Sequence, residues 1–154
     1  MKHLIPEFDR LRVRYPEGFE SSLVLPCVRR IQEDRGYVSD QDVQELAEYL
    51  GVPQIQIEEV LSFYTMFRRK PIGRWHLQFC HNVSCSMNGA ERILAHVEKK
   101  LGLQPGQTTP DGRFTLSVAE CLGSCGTAPM MMVNEAYHEN LTVAKVDALL
   151  EELK

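Results

Sequence analysis

The stretch RWHLQFCHNVSC, residues 74–85, decides the fold. Trp75, Leu77 and Phe79 alternate with His76 and Gln78, the period of two that marks a strand with one apolar face. The strand predicted over 74–79 runs straight into Cys80, and a second thiol follows at Cys85. Downstream, RFTLSVAEC (113–121) repeats the arrangement. Phe114, Leu116 and Val118 alternate with Thr115, Ser117 and Ala119, and Cys121 again lies just past the strand, with Cys125 after it. Between the two, Ile93, Leu94, Val97 and Leu101 recur at helical spacing, which predicts a helix over 88–101.

A strand–helix–strand crossover makes its strands parallel and is almost always right-handed. Parallel strands end at the same edge of the sheet, and neighbours lie about 5 Å apart. The C-x4-C loop at Cys80 and the C-x3-C loop at Cys121 are therefore expected to converge, at the edge where open α/β sheets bind ligands. QPGQTTPDGR (104–113) is dense in turn-forming residues and reads as a loop. PMMMVN (129–134) is apolar enough for a third strand, with Met130, Met131 and Met132 packing inside it. TVAKVDALLEELK (142–154) closes the chain as a helix with Val143, Val146, Leu149 and Leu150 inward. The second half thus reads β-α-β-β-α.

The first half, residues 1–72, reads as helices alone. Val43, Leu46, Ala47 and Leu50 form an amphipathic stripe, with Ser39 and Asp42 as a capping box and Gly51 as the stop. After Pro53 the same spacing returns in Ile57, Val60, Leu61 and Tyr64. Before it, SSLVLPCVRRIQEDRG (21–36) places Leu25, Val28 and Ile31 on one face, with Pro26 in the first turn and Gly36 at the end. A short leading helix is predicted around Phe8–Tyr15. Short links between amphipathic helices make a bundle.

Composition narrows the chemistry. The 154 residues are 44% hydrophobic and 25% charged, as in a globular chain, and a net charge of −4 offers no footprint for nucleic acid. No run is apolar enough for a membrane span. Glu7, Asp9 and Arg10 stand where a signal peptide would keep an apolar core, so the cytoplasm is the expected compartment. Thiols stay reduced there, and five cysteines point to metal ligation or redox chemistry rather than disulfides. Cys27, on a helix face in LPCVRR, reads as a small core residue.

For the other four, the residues alone leave more than one chemistry open. Zinc is a candidate, though its knuckles are usually C-x2-C. The wider loops suit a larger object such as a [2Fe-2S] cluster, whose irons take two thiolates each. A Rieske centre would need two histidines, and His81 alone does not supply them. A dithiol oxidoreductase would want C-x2-C at a helix start, which is absent. Gly123 and Gly126 beside Cys125 would let backbone N–H groups approach the sulfurs, and such bonds raise a cluster's potential.

CHNVSC followed by a helix, then GLQPGQTTPDGRFTLSVAECLGSCGTAPMMMVN, closely resembles the thioredoxin-like [2Fe-2S] subunit of NADH:quinone oxidoreductase, respiratory complex I. IQEDRGYVSD and VLSFYTMF carry the resemblance into the helical half. The same family includes the ferredoxin subunits of NAD-reducing hydrogenases and NAD-dependent formate dehydrogenases. The helical bundle over 1–72 is expected to dock a partner, since a lone ferredoxin would not need it, and the resemblance implies an α+β chain with a thioredoxin-like domain over 73–154. It implies that Cys80, Cys85, Cys121 and Cys125 ligate one [2Fe-2S] cluster. It also implies a role as an electron-transfer subunit of an NADH dehydrogenase complex, beside a flavoprotein that carries FMN and binds NAD(H) and beside further iron–sulfur subunits. Such a subunit is cytoplasmic, or held at the cytoplasmic side of the membrane by its complex. Thioredoxin-like folds often carry a cis proline, and Pro129 is the candidate. A module braced by zinc is the reading of a different class.

Overall fold

Hydrophobic patterning in the first half produces four helices: α1 (Ile5–Arg12), α2 (Val24–Arg35), α3 (Asp40–Leu50) and α4 (Gln54–Phe63). The computed structural model describes residues 1–153, in two compact units, the first being Met1–Pro71 and the second beginning at Ile72. Phe8, Val24, Val28, Ile31, Leu46 and Ile57 form the sealed centre of the first unit. The capping box is present: Ser39 accepts from the Asp42 N–H at 3.2 Å, and Asp42 accepts from the Ser39 N–H at 2.9 Å. Such a cap stabilises a helix by about 1 kcal/mol. Asp42 is buried and also pairs with Arg35 at 2.9 Å.

Two expectations for this half shift. The leading helix begins at Ile5, because Pro6 sits comfortably in a first turn. Leu25 faces outward, 38% exposed, while Val24, Cys27, Val28 and Ile31 are buried. A 3-10 turn over Glu20–Leu23 leads into α2 at Val24, and Leu25 stands about 100° around the axis from it.

The second unit is a four-stranded mixed sheet in the order β2-β1-β3-β4. Its strands are β1 (Trp75–Cys80), β2 (Phe114–Ala119), β3 (Met131–Val133) and β4 (Ala136–His138). Its helices are α5 (Val83–Met87), α6 (Ala90–Leu101) and α7 (Val143–Glu152). β1 and β2 are parallel, in register from Trp75↔Phe114 to Cys80↔Ala119, and β3 runs antiparallel to β1. Leu77, Phe79, Phe114, Leu116, Met131 and Val133 share one face and pack with Ile93 and Val97 of α6 and Val146 and Leu150 of α7. Gly73, ahead of β1, passes so close to β2 that a Cβ there would lie 2.8 Å from the Phe114 carbonyl carbon. Its N–H donates to Thr115 Oγ1 at 2.6 Å.

Departures from the expected β-α-β-β-α pattern cluster around short elements. α5 lies within the C-x4-C loop, and β4 has no counterpart in the expected pattern. A hairpin joins β3 to β4 through Asn134 and Glu135, with Asn134 at φ +53°. Asn134 then extends the ladder, its side chain accepting from the His76 N–H at 2.9 Å and donating to the Arg74 carbonyl at 3.2 Å. The alternation of β1 is also incomplete: His76 is buried on the face away from the helices, where its Nε2 lies 2.8 Å from Ser117 Oγ. A central strand has neighbours on both sides, so a polar residue there can be covered when a partner satisfies it. The segment read as a loop, 104–113, folds back on β2 through a Thr108–Thr115 bridge.

Candidate metal centre

Cys80 is the last residue of β1, opposite Ala119 at the end of β2. Both thiol-bearing loops therefore leave the same end of two paired parallel strands. After β1 the chain turns at His81 and enters α5, whose cap is the Asn82 side chain accepting from the Val83 N–H at 2.8 Å. This single helical turn aims Cys85 inward and leaves Val83 and Met87, one turn apart, 65% and 83% exposed. Cys80, Cys85, Ala90 and Met130 pack as one small buried cluster, with Leu122, Ala128 and Met132 against it. Cys121 and Cys125, on the loop after β2, are exposed.

The loops meet through hydrogen bonds to sulfur. Burial opposes ionisation of Cys80, but the N–H groups of Asn82 and Leu122 and the thiol of Cys85 all bond its sulfur, and the balance holds Cys80 below the ordinary thiol value. Cys85 moves the other way. Burial, its bond to Cys80 and the charges at Cys80 and Cys125 push it up, against one N–H from Met130. Leu122 belongs to the second loop, so that loop reaches across to the first pair, and Cys125 is near enough to act on Cys85.

Cys121 receives the Gly123 N–H at 3.4 Å, with Gly123 at φ +77°, a conformation glycine adopts without strain. Gly123 thus brings a backbone N–H to a sulfur as expected, that of Cys121. β4 and the residues after it hold this loop from outside. Tyr137 Oη donates to the Leu122 carbonyl at 2.7 Å. Thr127 Oγ1 donates to Glu139 at 2.6 Å, and Ser124 Oγ also bonds that carboxylate. Those two bonds hold the Glu139 carboxyl below its usual range. Asn140 donates its N–H to the Thr127 carbonyl at 2.7 Å. The Ala128–Pro129 peptide is cis, although most X-Pro bonds are trans.

Sequence reasoning placed the four thiols at one sheet edge but missed Tyr137 and Glu139. The available signal was the asparagine of VNEAYH after an apolar run, a turn residue that announces a second hairpin strand. His81 has Glu120 as its described partner, with Nε2 3.4 Å from Oε2, and its side chain is 41% exposed. Met130 and Met131 are fully buried, as packing residues should be.

Two thiol pairs on facing loops, with backbone N–H groups directed at the sulfurs, fit a binuclear iron–sulfur cluster, whose ligands are divided between two irons.

Comparison with known proteins agrees with that fit. The family model for thioredoxin-like [2Fe-2S] ferredoxins matches residues 8–154. The chain is 45% identical over 148 residues to an E-type subunit of the NADH-quinone oxidoreductase of Rhizobium meliloti, covering 96% of this chain and 87% of that one. It is 38% identical over 142 residues to NADH-quinone oxidoreductase subunit 2 of Thermus thermophilus, covering 92% and 78%. Among solved structures it is similar to an NAD+-reducing [NiFe]-hydrogenase in the air-oxidized state, with a TM-score of 0.71 and 27% identity over 82% of this chain. The chain spans only 22% of that hydrogenase chain. The resemblance read from CHNVSC and CLGSC therefore holds across almost the whole length, and the chain belongs to the thioredoxin-like [2Fe-2S] ferredoxin family.

Proposed function

We propose that this chain is the electron-transfer subunit of an NADH-quinone oxidoreductase, with Cys80, Cys85, Cys121 and Cys125 holding one [2Fe-2S] cluster. The observation that carries the reading is the meeting of the two loops: Cys80 ends its strand opposite Ala119, and Leu122 of the second loop packs against the buried cluster of Cys80 and Cys85. When bound, the cluster supplies one-electron chemistry. The chain's own residues do the rest. Cys80 and Cys85 grip from the buried side, with Met130 packed against them, and Cys121 and Cys125 grip from the solvent side. The N–H groups of Asn82, Leu122, Met130 and Gly123 favour negative charge on the sulfurs, which is the charge that reduction adds.

The partner that exchanges the electron is a flavoprotein subunit carrying FMN and oxidising NADH, and further iron–sulfur subunits complete the complex. The relatives' names support the complex, and the exposed Val83 and Met87 beside Cys85 offer a greasy rim for such a partner. Residues 1–72 supply further docking surface: α4 and the turn after it leave Ile55, Phe63 and Met66 exposed. Among the described residues no helix is long and apolar enough to cross a membrane. The same reading puts the chain on the cytoplasmic side, held near the membrane by its complex. Equivalent service in an NAD-reducing hydrogenase is the second reading, favoured by the structural similarity.

The test is to reduce the purified complex with NADH and follow the cluster by EPR, then repeat with the chain alone. The complex should develop a one-electron signal and the lone chain should not. A lone chain that NADH reduces directly would overturn the reading. Subunits copurifying with it, either a membrane arm or a nickel–iron protein, separate the two assemblies.

A further inference from the structure

Leu122 and Gly123 share a peptide group whose two ends are both engaged. Its carbonyl accepts the Tyr137 hydroxyl at 2.7 Å, and its N–H points at Cys121 Sγ at 3.4 Å. We propose that Tyr137 is a positioning residue that tunes the cluster's reduction potential through this peptide, by the relay Tyr137 O–H to Leu122 C=O and Gly123 N–H to Cys121 sulfur. The inference rests on Cys121 being a ligand, as proposed for the site.

Two physical effects and one observation support the relay. An amide whose carbonyl accepts a hydrogen bond becomes a stronger N–H donor, by roughly 10–30% per bond in condensed phase. Hydrogen bonds to cluster sulfurs favour the more negative, reduced state and so raise the potential. The peptide is packed on its Leu122 side but free on the other: the loop around it is exposed to half-exposed, and Gly123 at φ +77° has no Cβ to restrict its rotation. Without the tyrosine hydroxyl the plane that aims the N–H would be freer to turn. Tyr137 itself is set by β4, in register with Met132, and its neighbour Glu139 ties down Ser124 and Thr127 on the far side of the loop. The relay as proposed transfers no proton; the electron comes from the partner, and only the strength of the hydrogen bonds changes.

Tyr137→Phe keeps the ring and removes only the donor. In the loaded full chain, at a fixed poise near the midpoint, the reduced-to-oxidised ratio should fall about two- to threefold, from weakening one charge-assisted bond. That is about 20–30 mV at 59 mV per tenfold for one electron. Iron content and melting temperature should stay those of the wild type. In the iron-free chain, the Gly123 amide should exchange with solvent faster in Tyr137→Phe than in wild type, a reading that survives if the variant loads poorly. Cys121→Ser, measured alongside, separates the two claims. If that variant loses the native signal while Tyr137→Phe titrates like wild type and Gly123 exchanges unchanged, the relay is wrong and the ligand reading stands. If Cys121→Ser keeps the native signal, the ligand reading fails and takes the relay with it.

Discussion

Cys27 in the helical bundle and Cys80 at the sheet edge are both sealed from solvent, and their thiols are driven in opposite directions. Burial pushes Cys27 up to about 12, opposed only by the charge of Arg12. Cys80 is also penalised by burial, though it is set less deeply than Cys27, and two backbone N–H groups and a neighbouring thiol around its sulfur hold it below the ordinary value. The donors around it, and not only its depth, separate an inert thiol from one fit to hold iron. The donors come from backbone geometry. Cys27 lies inside a helix whose N–H groups are engaged within it, whereas Cys80 ends a strand where two loops have N–H groups to spare.

The largest effect expected from that contrast is at the four site thiols. Replacing any one of Cys80, Cys85, Cys121 or Cys125 by Ser should weaken or abolish the EPR signal of the reduced protein, while Cys27→Ser should leave it intact. A normal signal from Cys121→Ser, without serine ligation, would break the comparison. In the bundle the equivalent blow falls on stability alone. Phe8→Ala, at a fully buried ring, should cost about 3–5 kcal/mol in urea unfolding, and a cost under about 1 kcal/mol would mean the site collapses without a cavity.

A smaller effect reads the Cys27 environment directly. Its folded value lies well above the ordinary 9.0, so its contribution to stability is full below about 9 and drains away as pH rises from there toward 12. Wild-type stability should therefore fall more steeply than that of Cys27→Ala between about pH 9 and the practical alkaline limit, by at most about 1.4 kcal/mol per pH unit. Equal slopes would show that Cys27 ionises as freely folded as unfolded. The smallest effect belongs to His81. Its ring pairs with Glu120 in solvent, so His81→Ala should leave the EPR line shape unchanged although it adjoins Cys80. A changed line shape would give that imidazole a part in the site.

Much of this contrast is legible in the sequence itself. The alternation in 75–79 and 114–118, with a helical stripe between, specifies a parallel pair, and a parallel pair brings the Cys80 and Cys121 loops together. Long elements with strong periodicity declare themselves because burial of one face dictates the residue pattern. The elements that escape, α5 and β4, are 5 and 3 residues long, too short for any period to repeat. Their placement depends on tertiary partners: Asn82 capping α5, and the Asn134 turn that returns the chain against β3. Leu25 escapes for a related reason, since Leu25, Val28 and Ile31 match helical spacing whether or not the stripe is centred on them. Two of the three donors that lower Cys80 are backbone groups, which no side-chain pattern records.

The central claim, that the paired thiols hold one binuclear cluster, is tested most directly by metal and sulfide analysis of the chain purified without oxygen. The account predicts about two iron and about two acid-labile sulfide per chain. Stoichiometric zinc with no sulfide would contradict it.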